Sequence, residues 1–199
     1  MNKSELRKKY IEIRKGIIDK EKKSLEILRK ITSLEEYKKS KVIALYYSLS
    51  SEVDTINLIN YSLENKKIVL LPKVLGEDMV FYEIKSLDGL KKSSFGVMEA
   101  ENGIEYNKEL IDLVIVPGVC FDKHLNRIGF GKGYYDKYLE GYNGLTIGIC
   151  FEEQMSEENI EVDKNDVQLK YIITEKNIYS WYNNLRWIFE WRRLWYLKK

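Results

Sequence analysis

Apolar residues along this chain follow two periodicities that alternate. A spacing of three or four residues, typical of one face of a helix, occupies residues 4–17 and 19–39 and returns after residues 55 and 133. Nearly continuous apolar runs, typical of strands covered on both faces, occupy residues 42–49, 68–74, 113–116, 145–151 and 169–174. Strands that alternate with helices predict one α/β domain with three layers, α/β/α, around a mainly parallel central sheet.

Two segments depart from this alternation. Residues 79–84 follow the run at 68–74 after a Gly-Glu-Asp turn at 76–78, which predicts a β-hairpin with an exposed second strand. Residues 85–106 show little periodicity and predict a surface loop or short turns. A long irregular segment in a compact domain is often functional.

The last segment, residues 177–199, differs in character from the rest. It holds all four tryptophans, and its large apolar residues follow a helical stripe. We predict an aromatic helical tail appended to a domain of residues 1–176, packed on that domain or on a second copy of the chain. Monomer and homodimer both stay open, and the basic end of the tail would alternatively meet an acidic partner or a lipid surface.

Composition restricts the classes of partner. The 199 residues include 33 basic and 31 acidic side chains, a net charge of +2, so no overall field favours nucleic acid or a membrane. The N-terminus lacks the apolar core of a signal peptide, and no run approaches the roughly 18 to 20 apolar residues that span a bilayer. We therefore expect a cytoplasmic enzyme. Cys120 and Cys150, each within an apolar run, predict buried small side chains rather than a redox pair or a zinc site.

The stretch at residues 112–139 carries the candidate chemistry. It predicts a strand, a loop with three glycines at 129–133, and a helix. Glycine lets the backbone approach a ligand closely, and a helix start offers unpaired N–H groups, so the stretch predicts an anion site. Arg127 and Lys132 could neutralise phosphate oxygens, and Asp136 could hold a divalent cation. The set indicates a site for a magnesium nucleotide.

Glycine spacing alone leaves the nature of this site open. The P-loop pattern needs serine or threonine after Gly-Lys, and here Gly133 follows Lys132. The dinucleotide pattern needs a third glycine at position 134, which is tyrosine. A phosphate site and a plain tight turn both fit the glycines, and the nearby charges of Arg127, Lys132 and Asp136 favour the phosphate site.

Other polar residues are candidates by position only. Lys3 and Arg7, four residues apart, would lie close together off the apolar face of the first helix. Glu52 lies at the carboxyl end of a predicted strand, where open α/β sheets bind ligands. From the residues alone, all three fit ordinary solvated surface charges. The single histidine, His124, is expected to be exposed and has no obvious catalytic partner in the sequence.

The chain resembles the 5-formyltetrahydrofolate cyclo-ligase family, also called 5,10-methenyltetrahydrofolate synthetases. The family signature, a strand with VPG followed by FDxxGxRxGxGxGYYD, stands here as VPGVCFDKHLNRIGFGKGYYD. The paired cations of the first helix, SSEVDT, FGVMEA and YIITE match in the same order, so the resemblance covers roughly residues 3–175. Leu125 replaces a common glycine, Ala100 and Glu161 replace prolines, and the Trp-rich tail has no counterpart.

By position, the resemblance implies the residues of the site. ATP would contact Lys3, Ser4, Glu5, Leu6, Arg7, Arg127, Ile128, Gly129, Phe130, Gly131, Lys132, Gly133, Tyr134 and Tyr135. The folate would contact Arg7, Tyr47, Glu52, Phe130, Gly131, Lys132, Gly133 and Tyr134. Asp136 and Asp166 would serve Mg²⁺, and Lys132, Arg127 and Tyr134 would act in catalysis.

The resemblance also implies a reaction, the ATP- and Mg²⁺-dependent closure of 5-formyltetrahydrofolate to 5,10-methenyltetrahydrofolate. ADP and phosphate would be released by way of a phosphorylated formyl intermediate. Two rival functions stay open. A folate- or nucleotide-binding regulatory protein would keep the pocket without turnover, and a kinase of another small molecule would keep the phosphate loop without a reason for Glu52. We expect the enzyme, because every charged group that the mechanism needs is present.

Overall fold

The computed structural model describes residues 1–93, 96–100 and 103–181. Its helices are α1 (Lys3–Gly16), α2 (Lys20–Ser33), α3 (Glu35–Lys39), α4 (Ile56–Glu64) and α5 (Tyr134–Leu139), with 3-10 turns at Lys108–Leu110 and Glu152–Gln154. Its strands are β1 (Val42–Ala44), β2 (Ile68–Leu75), β3 (Asp78–Ile84), β4 (Leu90–Lys92), β5 (Met98–Ala100), β6 (Leu113–Val116), β7 (Cys120–Asp122), β8 (Arg127–Ile128), β9 (Leu145–Ile149), β10 (Met155–Ser156), β11 (Tyr171–Ile173) and β12 (Ile178–Ser180). Within these ranges, none of the helices has the length and apolar character needed to cross a bilayer.

The N-terminal helices follow the predicted pattern with two corrections. α1 begins and ends one residue before the predicted range of 4–17 and is capped by Asn2, because the Asn2 side chain accepts from the Glu5 N–H at 3.0 Å and the Asn2 N–H donates to the Glu5 carboxylate. The helix predicted at 19–39 is two helices, α2 and α3, because Leu34 has extended dihedral angles between them. Apolar periodicity does not register a single extended residue.

Seven strands form the central sheet in the order β12, β11, β9, β6, β1, β2, β3. The pairings among β11, β9, β6, β1 and β2 are parallel, whereas β3 and β12 pair antiparallel at the two edges. The mainly parallel sheet and the predicted hairpin of β2 and β3 are therefore confirmed. β3 lies at an edge, but its Val80 and Phe81 are buried, so the expectation of an exposed second strand was wrong for these side chains.

Two predicted strand assignments change in the structure. The run at 42–49 contributes only three residues to β1, and residues 45–49 continue as a loop. Residues 85–106, expected to be irregular, contain a two-stranded antiparallel sheet of β4 and β5. Strands of three residues are too short to show a periodicity, which is why the pattern missed them.

The segment predicted as a tail begins within the central sheet. Residues Ile178–Ser180 form β12, which pairs with β11, and Ser180 is buried. The helix expected farther along, with the tryptophans at 187, 191 and 195, lies outside the described residues. The division into a domain at 1–176 and a separate tail stays a prediction.

Alternate residues of the central strands belong to two different apolar clusters. Along β6, Leu113 and Ile115 belong to the first cluster, and Val114 and Val116 belong to the second, so the clusters lie on opposite faces of the sheet. Residues of α2 and α4 join the first cluster and α5 joins the second. A third cluster packs α1 against the small sheet of β10, β7 and β8, which holds α1 beside the glycine loop that follows β8.

Candidate functional site

A cavity of about 670 Å³, here called the cleft, opens at the carboxyl ends of β1 and β6. Tyr46, Tyr47 and Glu52 follow β1 along the chain, and Pro117 follows β6. The β2/β3 hairpin adds apolar side chains. The glycine loop between β8 and α5, the start of α1 and residues 163–166 add the charged groups. The cleft thus lies at the edge of the sheet where open α/β folds bind ligands.

Most of the predicted site residues line this cleft: Lys3, Arg7, Tyr47, Glu52, Arg127, Ile128, Gly129, Phe130, Gly131, Lys132, Gly133, Tyr134, Tyr135, Asp136 and Asp166. Ser4, Glu5 and Leu6 do not line it. Leu6 is buried in the third cluster, Glu5 completes the cap of α1, and Ser4 is exposed. Helical periodicity explains the division, because residues 3 and 7 share a helix face that the residues between them do not.

At two positions of the glycine loop, the backbone conformation favours glycine. Gly131 and Gly133 have φ angles of 98° and 72°, which residues with side chains rarely adopt. α5, which begins at residue 134, has only six residues. An anion in this loop would therefore depend on the nearby cations and backbone N–H groups more than on the dipole of the helix.

Arg7 holds the glycine loop from α1. Its Nε donates to the carbonyl oxygen of Gly129 at 2.8 Å, and its Cζ lies 3.3 Å from the position that a Cβ on residue 131 would take. Lys132 and Phe130, on the same loop, are exposed at the cleft. The start of α1 and the glycine loop thus form one cationic surface.

Arg127 and Asp136 form the buried part of this surface. Arg127 Nη2 donates to Asp136 Oδ1 at 2.9 Å, and the same oxygen accepts from the Val167 N–H at 3.2 Å. The guanidinium lies 5.7 Å from the centroid of the Tyr135 ring. Burial lowers the pKa of Arg127, and the charge of Asp136 acts in the opposite direction. The pair holds the guanidinium in a fixed orientation at the cleft.

Glu52 is the buried carboxylate of the cleft. Its Oε2 accepts from the Leu49 N–H at 2.9 Å, and its Oε1 lies 3.5 Å from Arg14 Nη1. Burial raises the pKa of Glu52, while the Leu49 hydrogen bond and the charge of Arg14 offset part of that rise. Each carboxylate oxygen has one donor and retains a lone pair, so Glu52 can accept two more hydrogen bonds from a ligand.

Arg14 was not predicted as a site residue from the sequence. This residue follows Tyr10 by four positions and is buried with it on the same face of α1. A cation at helical spacing within a predicted apolar face was the signal that would have identified it. Asp163, which also lines the cleft, was not predicted as a site residue.

Lys3 lies between two carboxylates at the end of the cleft formed by α1. Its Nζ is 2.5 Å from Asp163 Oδ2 and 2.5 Å from Asp166 Oδ2. Burial lowers the pKa of Lys3, but the hydrogen bonds to Asp163 and Asp166 and their charges outweigh that effect, so the pKa is raised. This triad joins the first turn of α1 to the segment before β11.

The residues fit a magnesium ion that arrives with phosphates. Asp136 and Asp166 lie in the same cleft, the first paired with Arg127 and the second with Lys3. In residues 1–93, 96–100 and 103–181, no group of three or more His, Cys, Asp or Glu side chains is placed to hold a metal. Mg²⁺ usually takes one or two carboxylates, with water and substrate phosphates as its other ligands. A cage made only of protein groups is therefore not required.

The described cysteines, the histidine and two cleft tyrosines are unsuited to nucleophilic chemistry. Cys120 and Cys150 are buried and free of disulfides, as predicted, and burial raises the pKa of Cys120 to about 12. His124 is exposed, as predicted, and does not line the cleft. Burial also raises the pKa of Tyr46 and Tyr135 above the ordinary value, so both phenols are neutral near pH 7. Since these groups do not supply a nucleophile, the cleft would act by positioning its ligands and neutralising their charge.

Comparisons with known proteins agree on one family. A sequence model of the 5-formyltetrahydrofolate cyclo-ligase family matches residues 1–175. A probable 5-formyltetrahydrofolate cyclo-ligase of Schizosaccharomyces pombe is 34% identical over 81% of this chain and 87% of that protein. The solved structure of Aquifex aeolicus 5,10-methenyltetrahydrofolate synthetase is 38% identical, with a TM-score of 0.80 over 90% of this chain and 93% of that one. The structure of a 5,10-methenyltetrahydrofolate synthetase from Mycoplasma pneumoniae is 28% identical, with a TM-score of 0.72 over 88% of this chain and 99% of that one.

Proposed function

The chain belongs to the 5-formyltetrahydrofolate cyclo-ligase family, and we propose that it uses ATP and Mg²⁺ to close 5-formyltetrahydrofolate to 5,10-methenyltetrahydrofolate. ADP and phosphate would be the other products. One observation carries this proposal: a cationic glycine loop and a buried carboxylate, Glu52, share one cleft. The first suits phosphates, and the second suits a ring that presents N–H donors.

The proposed chemistry activates an amide. The N5-formyl carbon is a poor electrophile, and its oxygen is a poor leaving group. The formyl oxygen therefore takes the γ-phosphoryl group of ATP, which breaks the bond to ADP. N10 then attacks the activated carbon and loses its proton, and the C–O bond breaks to release phosphate. Both nucleophiles belong to the substrate, which agrees with the placement of the described cysteines and histidine.

In this reaction the chain positions the phosphates and stabilises their charge. Lys132, Arg127 and the backbone N–H groups of the glycine loop would hold the β- and γ-phosphates, and Lys3 and Arg7 would reach them from α1. Asp136 and Asp166 would hold the Mg²⁺, which supplies charge neutralisation at the phosphates when it is bound. Arg7 supports this assignment, since its bond to Gly129 already ties α1 to the loop.

Glu52 would orient the folate. Its two oxygens can accept hydrogen bonds from a ring N–H and the adjacent amino group of the pterin. Phe130, on the glycine loop, and Tyr134, the first residue of α5, offer ring faces for stacking. Held in this way, the pterin would direct its formyl oxygen at the γ-phosphorus.

The first test is turnover by the full chain. Purified protein is mixed with 5-formyltetrahydrofolate and Mg-ATP, and the methenyl chromophore and ADP are followed in parallel, with controls that lack ATP or magnesium. We expect chromophore and ADP in equal amounts, and only with all components present. ADP without chromophore would indicate a kinase with another acceptor. Neither product, with folate still bound, would indicate a regulatory protein.

Lys132→Ala tests the phosphate assignment. We expect kcat/KM to fall, with a loss of transition-state stabilisation of about 2 to 4 kcal/mol, the scale of losing one charged oxyanion donor. Lys123→Ala, which removes an exposed lysine that does not line the cleft, is the matched control and is expected to keep full activity. Steady-state kinetics with varied ATP gives both values. A near-normal kcat/KM for Lys132→Ala would remove this residue from the mechanism.

A further inference from the structure

Arg14 is a buried cation behind the wall of the cleft. It shares the buried face of α1 with Leu6 and Tyr10, and its side chain is 5% exposed. It contacts the cleft residues Glu52 and Phe130. Its buried Nε has no hydrogen-bond partner among the described residues. Any effect of Arg14 on a ligand in the cleft would therefore pass through these two neighbours.

Arg14 supplies the positive charge that offsets Glu52. Its Nη1 lies 3.5 Å from Glu52 Oε1, while the Leu49 N–H binds the other oxygen. The phenols of Tyr46 and Tyr135 also interact with Glu52, and burial raises the pKa of both, so they stay neutral. Together with the Leu49 hydrogen bond, the adjacent positive charge of Arg14 therefore favours the ionised form of Glu52 in this buried position.

Arg14 also contacts the glycine loop. Its guanidinium lies 5.1 Å from the centroid of the Phe130 ring, within the range of a cation–π interaction. Phe130 is otherwise 52% exposed. The Arg14 side chain therefore contacts both Glu52, which is proposed to bind the pterin, and the glycine loop, which is proposed to bind the phosphates.

Stability alone is a weak reason for this arrangement. Removing two charges from water costs several kcal/mol each, and well-packed apolar side chains of similar volume often serve a fold as well or better. A carboxylate that must stay ionised in order to accept two hydrogen bonds does need a cation beside it. The pair of Arg14 and Glu52 is therefore better explained by ligand binding in the cleft than by the stability of the core.

We propose that Arg14 is a positioning residue for the folate, which keeps the Glu52 carboxylate ionised and aimed at the donors of the ring. Through Phe130 it also fixes the glycine loop relative to that ring. The inference rests on the proposed role of Glu52.

A double-mutant cycle of Arg14→Met and Glu52→Gln tests it, with Arg14→Lys as the conservative variant. The readouts are the Kd of 5-formyltetrahydrofolate without nucleotide, the separate KM values of folate and ATP, and the melting temperature. We expect Arg14→Met to raise the folate Kd roughly tenfold or more, the scale of one hydrogen bond to a charged group. The KM of ATP is expected to change far less, and Arg14→Lys to restore most of the folate affinity.

The cycle separates this inference from the proposed function. In the Glu52→Gln background, Arg14→Met is expected to cause no further loss, because the carboxylate that it serves is gone. Full additivity would overturn the role of Arg14, and so would an Arg14→Lys variant as weak as Arg14→Met. Normal folate binding by Glu52→Gln alone would instead overturn the pterin contact on which the inference rests.

Removing one partner of a buried pair destabilises a fold strongly, so Arg14→Met alone could fail to fold. The double variant leaves no unpaired buried charge, and its folate Kd is expected to equal that of Glu52→Gln, whereas a further loss of affinity would overturn the inference. A merely structural role would lower the melting temperature and raise both KM values together. That result would overturn the inference.

Discussion

Leu125 occupies a left-handed backbone conformation, with φ of 67°, while its side chain is completely buried in the second core cluster. The backbone conformation costs roughly 1 to 2 kcal/mol for a residue with a Cβ. Truncating a buried leucine to alanine costs about 2 to 5 kcal/mol. Burial therefore outweighs the backbone cost. This balance explains how leucine can stand where the signature of the family has glycine.

Leu125→Gly and Leu125→Ala separate the two effects. Both lose the buried side chain, but only glycine relieves the backbone. We expect both to be less stable than the parent, and the glycine variant to be more stable than the alanine variant by about 1 kcal/mol, the reverse of the usual order. Urea denaturation measures the difference. Equal stabilities would mean that the loop relaxes and the left-handed conformation is not imposed.

Glu52 predicts how folate binding depends on pH. Burial raises its pKa above the ordinary value of 4.5, so it takes up a proton earlier on acidification than an exposed glutamate does. The neutral acid cannot accept both hydrogen bonds, and we expect the folate Kd to rise as the pH falls through the raised pKa. The effect on folding stability has the opposite sign. Burial favours the neutral form of Glu52, so the destabilisation that its buried charge causes fades as the pH falls.

Fluorescence titration of folate across mildly acidic pH measures this dependence. Glu52→Gln is the control, since it is expected to bind weakly without that pH dependence. A parent protein whose folate Kd stays constant over the same range would contradict the assignment of Glu52.

At the scale of elements, α1 and the glycine loop behave as one unit. Arg7 donates to Gly129 and packs beside Gly131, so the helix determines where the loop lies. The third cluster holds α1 on the small sheet that ends at the loop. The placement of the phosphates proposed to bind the loop would therefore depend on a contact between the first helix and the middle of the chain.

Gly131→Ala and Gly133→Ala test that contact. Both positions have positive φ, but a Cβ at Gly133 meets nothing within 4 Å, whereas one at Gly131 lies 3.3 Å from Arg7 Cζ. We expect Gly131→Ala to raise the KM of ATP several-fold more than Gly133→Ala does, with similar melting temperatures. Steady-state kinetics and thermal denaturation give both readouts. Equal KM values would assign the effect to the backbone alone.

At the scale of the whole molecule, the cleft joins distant parts of the chain, while β12 completes the sheet away from it. β12 pairs with β11, and Tyr179 donates to Glu152 at 2.7 Å. The residues that line the cleft lie between Lys3 and Asp166. We therefore expect the last described residues to contribute to the stability of the protein but not to its activity, so that the two effects separate.

Two truncations test this separation. A chain that ends at Trp181 keeps β12, and we expect its kcat/KM to match the parent. A chain that ends at Glu175 loses β12 and exposes β11 as a new edge, so we expect a lower melting temperature and more aggregation. Kinetics and thermal denaturation of both chains provide the measurement. Loss of activity at Trp181 would show that the segment beyond it contributes to the cleft or to assembly.

The sequence by itself determined the features that local chemistry decides. Apolar periodicity predicted α1, the inner strands and the β2/β3 hairpin, and glycine spacing predicted the loop whose Gly131 and Gly133 need positive φ. These features depend on neighbouring residues, so a pattern along the chain is enough to identify them. The resemblance then indicated the family, because its signature lies in that stretch and further motifs match in the same order over roughly residues 3–175.

Only the tertiary structure decided which groups face each other. Arg14 meets Glu52 across 38 residues of sequence, and Lys3 meets Asp166 across 163. Such pairs depend on how helices and strands pack, and no spacing along the chain encodes them. For the same reason β12 was missed, since a three-residue strand forms only where an edge of the sheet is available to pair with it.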